Sequence, residues 1–159
     1  MIDVRSYFMF GLFDSKKKQQ PECVTDEVLG EIFYENSMWY SSVDFKLFGK
    51  TYHIDIKMYS ENGEPVTAAQ KESYKKIINN EKIASEIENI LQTEVPPEEY
   101  ECLEYEPEYL CFRPNGDCAL IVYIGEKEDD EYLEYAVTIF PEISYYGDEE
   151  SYMSMVYFT

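Results

Sequence analysis

Basic side chains are scarce in the second half of this sequence. Residues 94–159 hold 18 acidic side chains against only Arg113 and Lys127, a balance of −16. Residues 1–93 hold 15 acidic and 11 basic, a balance of −4. A chain so short of cations is not built to bind nucleic-acid backbones directly, since phosphate recognition needs the opposite sign. Histidine occurs once, as His53, and the cysteines at 23, 102, 111 and 118 contain no C-x-x-C pair. That spacing excludes a recognisable zinc site, and reduced thiols rather than a disulfide framework are expected. No G-x-S-x-G, Walker or G-x-G-x-x-G pattern occurs. Carboxylates abound, but nothing selects two of them as an acid–base pair. Long apolar runs are also missing. Tyr7 to Phe13 is short, and Lys16-Lys17-Lys18 follow it rather than precede it. Neither a membrane span nor a signal peptide fits that order. The expectation is no cofactor, no metal, and an enzyme as the weakest of three readings.

What is present is a folded chain rich in aromatics. Hydrophobic residues make up 45% and aromatic residues 16%, with 16 tyrosines, enough to bury a core. Val43, Phe45 and Leu47, then Tyr52, Ile54, Ile56 and Met58, alternate with polar residues, the period of strands with one buried face. Gly49-Lys50 between them suits a type II′ hairpin. Leu29 to Tyr34 and Met38 to Tyr40 add earlier strands, with a possible bulge at Ser41-Ser42, giving a three-stranded meander. Thr67 with Gln70 reads as a capping box. Tyr74, Ile77, Ile78, Ile83, Ala84, Ile87, Ile90 and Leu91 then recur at spacings of three and four. Asn79-Asn80 should divide this stripe into two helices or kink one, and Pro96-Pro97 ends it. Tyr109 to Phe112, Cys118 to Ile124 and Tyr132 to Phe140 read as strands. Tyr145 to Asp148 reads as a turn, and Tyr152 to Phe158 as a last strand.

The order of strands, helices and strands predicts an α+β fold. An antiparallel sheet, made of the N-terminal meander and C-terminal hairpins, would pack against one or two central helices. Residues 1–28 are expected to be an extension and linker, and 29–159 a single domain. His53, opposite Ile54 and Ile56 on its strand, is expected at the surface. The 126–131 stretch lacks the D-x-D-x-D-G spacing of a calcium loop and reads as an exposed acidic turn.

Gly30, Trp39, the Phe48-Gly49-Lys50 turn, Thr67-x-x-Gln70 and Asn80 resemble a family of uncharacterised small bacterial domains. In that family a tryptophan-bearing meander with a Phe-Gly-Lys turn precedes a Thr-x-x-Gln helix. The resemblance covers roughly residues 29–92. It implies an immunity-type role beside polymorphic toxins and carries over no catalytic residue. The charge adds a chemical expectation: a cytoplasmic binding protein whose acidic surface docks on a basic protein partner. The contact residues expected are Glu128, Asp129, Asp130 and Glu131, with Tyr145, Tyr146 and Tyr152 as aromatic anchors. The alternative is a structural or accessory domain that self-associates or binds a host protein.

Overall fold

A computed structural model describes residues 22–94, 104–125 and 133–158. The fold is α+β, and the described residues form eight strands in one sheet and three helices. Strands β1 (Glu22–Asp26), β2 (Gly30–Glu35), β3 (Met38–Leu47) and β4 (Lys50–Tyr59) form an antiparallel meander. Helices α1 (Ala68–Ile77) and α2 (Glu81–Glu94) then carry the chain across to β5 (Glu104–Phe112), which pairs with β4 in parallel. Strands β6 (Cys118–Gly125), β7 (Leu133–Phe140) and β8 (Ser144–Asp148) extend a second antiparallel meander. Helix α3 (Glu149–Phe158) closes the described chain.

The meander follows from period-two patterning. Phe45, Leu47, Ile54, Ile56 and Met58 all turn to one face and are buried. Strand β3 runs without interruption through Ser41 and Ser42, each paired on β4, so the expected bulge there is absent. The β3–β4 turn differs from expectation as well. Leu47 pairs with Lys50, and Phe48 and Gly49 both have positive φ (49° and 74°). Two consecutive left-handed residues make a type I′ turn, whose twist matches that of the flanking strands.

Helices α1 and α2 cover the face that carries Ile54, Ile56, Leu110, Leu120 and Val137. The capping box is formed. The Gln70 N–H donates to the Thr67 hydroxyl at 3.1 Å, and the Thr67 N–H to Gln70 Oε1 at 2.9 Å. Asn79 is left-handed and separates the helices, while the Asn80 side chain accepts from the Lys82 N–H at 3.2 Å. Ile77, Ile87 and Leu91 of the apolar stripe are buried.

Three further expectations are corrected. Strand β1 lies in the stretch read as a linker. It is an outer strand whose side chains are almost all exposed, so it has no apolar alternation to read. Tyr145 to Asp148, read as a turn, lie in β8, which pairs with β7. Tyr152 to Phe158, read as a strand, lies within α3. Asp148 starts this helix by accepting from the Ser151 N–H at 2.8 Å, and Glu149 and Glu150 complement the positive end of the helix dipole in its first turn. Helix α3 packs through Tyr152 on the face opposite α1 and α2, against Cys111, Ala119, Ile121 and Ala136. The middle of the sheet is thus covered on both sides, which is why β6 is a continuous apolar run.

Candidate functional site

The two halves of the sheet differ on the face that carries α3. Over β5, β6 and β7 that helix provides cover. Over β2 and the remainder of β3 and β4 no described helix does, although Met38 at the start of β3 is buried in the α3 cluster and Tyr40 and Tyr59 pack against it. Pleating turns Ile32 and Tyr34 toward α1 and α2 and leaves Phe33 outward, 41% exposed. Phe33 lies opposite Tyr40 on β3, and the rings stack at 5.1 Å with 13° between their planes. Glu31 and Glu35 share Phe33's side of β2, and Asp44 and Asp55 share Tyr40's side of the next two strands; all four are exposed. Burial raises the Tyr40 hydroxyl pKa, and the Glu35 charge adds to the rise. Asp44 pairs across the strands with His53 at 2.9 Å, both side chains largely exposed. The result is an aromatic platform with an acidic border.

Where the platform meets α3, charges gather. Lys57 Nζ stands 3.3 Å over the Tyr109 ring. The Tyr109 hydroxyl donates to Glu149 Oε1 and ties the first turn of α3 to β5. A bulge between Pro107 and Tyr109 puts Glu108 out of register. Its carboxyl hydrogen-bonds that of Glu134 on β7. Burial first, then the Glu134 charge, push the Glu108 pKa up to about 7, while Lys57 works the other way. Glu108 can therefore hold a proton near neutrality. Burial keeps the Tyr109 hydroxyl protonated, aided by its bond to Glu149.

The residues expected from sequence separate. Glu128, Asp129, Asp130 and Glu131 lie outside the described residues. Tyr145 is half-buried against Tyr135 at 5.7 Å, and burial pushes its hydroxyl to about 12. Tyr146 is 42% exposed. Tyr152 is only 1% exposed and meets the Tyr146 ring edge-on at 5.3 Å. It is a core residue of α3 and no surface anchor, a correction that follows from reading that segment as a helix. Phe33 and Tyr40 were not singled out from sequence. The signal was available, since a phenylalanine between two inward residues must point outward.

The cysteines resolve by face. Cys111 packs on the α3 side and Cys118 on the α1–α2 side, so the two cannot approach as a disulfide although their strands are neighbours. Burial pushes the Cys111 thiol to about 12 and Cys118 up as well, leaving both unreactive. Cys23 is exposed on β1. Among the described residues no group of three His, Cys, Asp or Glu is placed to hold a metal ion. No described helix is long and apolar enough to cross a membrane. A cavity of about 290 Å³ lies between the end of β3 and the α1–α2 junction, and another of about 260 Å³ beside Phe48 and Tyr105. No protein-family model, curated protein or solved structure matches the chain.

Proposed function

We propose that the protein is a cytoplasmic, non-catalytic binding module, an immunity-type inhibitor that docks on a basic effector or toxin. The observation that carries this reading is the stacked Phe33–Tyr40 pair, with Phe33 exposed beside the α3 cluster on a part of the sheet face that no described helix covers, bordered by Glu31, Glu35, Asp44 and Asp55. An exposed aromatic pair supplies burial at the centre of a contact, and surrounding charges supply orientation and encounter rate. A net charge of −20 favours a cationic partner. Tyr146 and the acidic residues 128–131 are further candidate contact residues of the same proposal.

Self-association is the second reading, and the outer edge of β1, to which no described strand pairs, favours it. An antiparallel pairing of two copies centred on Val24 would set Glu22 against Asp26, like charges directly opposed. That repulsion places the basic partner first.

The test is co-purification with the product of a neighbouring toxin or effector gene, followed by association and dissociation rates. Phe33→Ala should speed dissociation at least about tenfold, in the range of a hot-spot residue. Glu31→Gln with Glu35→Gln should slow association and leave dissociation nearly unchanged. Unchanged rates in both variants would exclude this face, and a protein that forms only homodimers would favour the second reading.

A further inference from the structure

Strand β3 is longer than its neighbour β2. Its β4 side is paired along the whole length, from Met38 to Leu47. On the other side, β2 pairs only Phe33, Tyr34 and Glu35, with Tyr40, Trp39 and Met38. Beyond that the Ser41 hydroxyl reaches the Leu29 carbonyl at 3.2 Å, where β2 begins, and the edge from Val43 to Leu47 has no strand beside it among the described residues. In such a strand alternate residues direct both N–H and C=O away from the paired neighbour. Beside this stretch lies the cavity of about 290 Å³, lined by Asp44, Phe45 and Lys46 of β3 and Thr51 of β4, and across from them by Ile77, Glu81 and Ala84. One wall is thus the end of the β3–β4 pair, next to the unpaired stretch of β3, and the other is the α1–α2 junction.

We infer that this cleft takes an extended segment of a basic partner protein, added to the sheet as a strand beside Val43–Leu47. The inference deepens the binding role proposed above and rests on it. Main-chain bonds to the free edge would give affinity, and alternate side chains would enter the cleft, as in strand addition generally. Apolar side chains on the helix side would meet Phe45, Ile77 and Ala84. Cationic ones on the opposite side would meet Asp44 and the acidic border near Tyr40. Asp44 and Glu81 outnumber Lys46 on the rim, and the whole chain carries −20, so the charge complement is a Lys- or Arg-bearing strand. The edge spans roughly 17 Å at the strand rise, room for a short strand. A second copy of β1 would bring Glu22 and Asp26 to this rim and is disfavoured.

The probe is the peptide acetyl-Lys-Val-Arg-Val-Lys-Val-amide, added to the isotope-labelled full chain and followed by amide shifts and hydrogen exchange. Amides between Val43 and Leu47 should shift and become protected. A peptide of the same sequence with alternate backbone amides methylated keeps its charge but loses donors, and should bind about tenfold more weakly, the loss of one or two hydrogen bonds. Ala84→Leu, which narrows the cleft, should abolish binding. Should that variant not fold, Asp44→Lys with Glu81→Lys, both at exposed positions, should weaken binding by a similar factor. Phe33→Ala should leave the peptide unaffected while weakening the partner, so failure of this inference is distinguishable from failure of the proposed function. Equal binding of the methylated peptide, shifts spread over the acidic surface without Val43–Leu47, or amides there already protected in the free protein would each overturn it.

Discussion

Gln70 shows how much one side chain can settle. It is almost fully buried, closes the capping box with Thr67, and donates from Nε2 to the carbonyls of Tyr59 at 3.0 Å and Phe112 at 3.2 Å. It therefore joins the start of α1 to the ends of β4 and β5, where the parallel crossover is made. Gln70→Leu should strand those carbonyls and cost about 1–3 kcal/mol in denaturant unfolding. Turn residues can be ranked in the same way. Gly49 has φ +74° with open space around it, so Gly49→Ala should cost only the left-handed torsion, about 1–2 kcal/mol. At Gly116, φ +91°, an added Cβ would stand 3.0 Å from the Ala69 carbonyl oxygen and the Ser73 hydroxyl. Gly116→Ala should therefore destabilise more than Gly49→Ala in the same assay. Glu108 predicts a pH effect with a definite sign. Its folded pKa, about 7, lies above the 4.5 of a free carboxyl, so the folded state keeps a proton that the unfolded state has lost. The stability contributed by that proton is present below about 4.5 and is lost as pH rises to about 7. Thermal melts between pH 5 and pH 8 should fall more steeply for the natural protein than for Glu108→Gln. Asp26 acts oppositely. Burial works against its carboxylate, but the Lys71 ammonium and the N–H groups of Val28 and Leu29 outweigh it and lower the pKa. Its contribution is lost only in acid.

Among the elements, α3 has the most dependent position. Its buried anchor is Tyr152, packed with Cys111, Ala119, Ile121 and Ala136, and its first turn is tied by Glu149 to Tyr109. Tyr152→Ala should cost about 3–5 kcal/mol, the range for removing a large buried aromatic side chain. Near-ultraviolet circular dichroism with denaturant melts would show it. Tyr146→Ala, at a surface position, should leave folding intact, so the two tyrosines separate packing from recognition. The β3–β4 hairpin is held differently. Phe48 sits at φ +49°, uncommon for a bulky residue, with its N–H on the Glu88 carboxylate at 2.6 Å and its ring 5.2 Å from Tyr105. Contacts from α2 and β5 thus maintain a turn that the local sequence would not choose.

Over the whole molecule, charge is the feature that matters most. A chain at −20 repels itself, and added salt should screen that repulsion and raise the melting temperature. The same screening should slow association with a cationic partner. Replacing Glu128, Asp129, Asp130 and Glu131 with Ser or Asn should slow association several-fold, leave dissociation nearly unchanged, and slightly raise thermal stability, all measurable at two salt concentrations. A partner bound with salt-independent rates would show that the charge serves solubility alone.

What the sequence determined by itself is the structure written in local periodicity. The alternation from Val43 to Met58, the Thr67–Gln70 box, the Asn79-Asn80 break and the run from Cys118 to Ile124 each carry their instruction in neighbouring residues. A strand's period or a helix's cap needs no distant partner to be read. Tertiary structure decided the rest. The exposed strand β1 is a strand because β2 lies beside it. The aromatic segment after Ser151 is a helix because Asp148 caps it and a sheet face awaits Tyr152. The Glu108 pKa is raised because a bulge and a neighbouring strand bring its partly buried carboxyl beside that of Glu134. That Phe33 points outward is written in the local alternation, but that its part of the sheet face has no described helix over it was decided by where α3 packs. In each case the deciding contact joins residues far apart in the chain, and a local pattern holds no record of it.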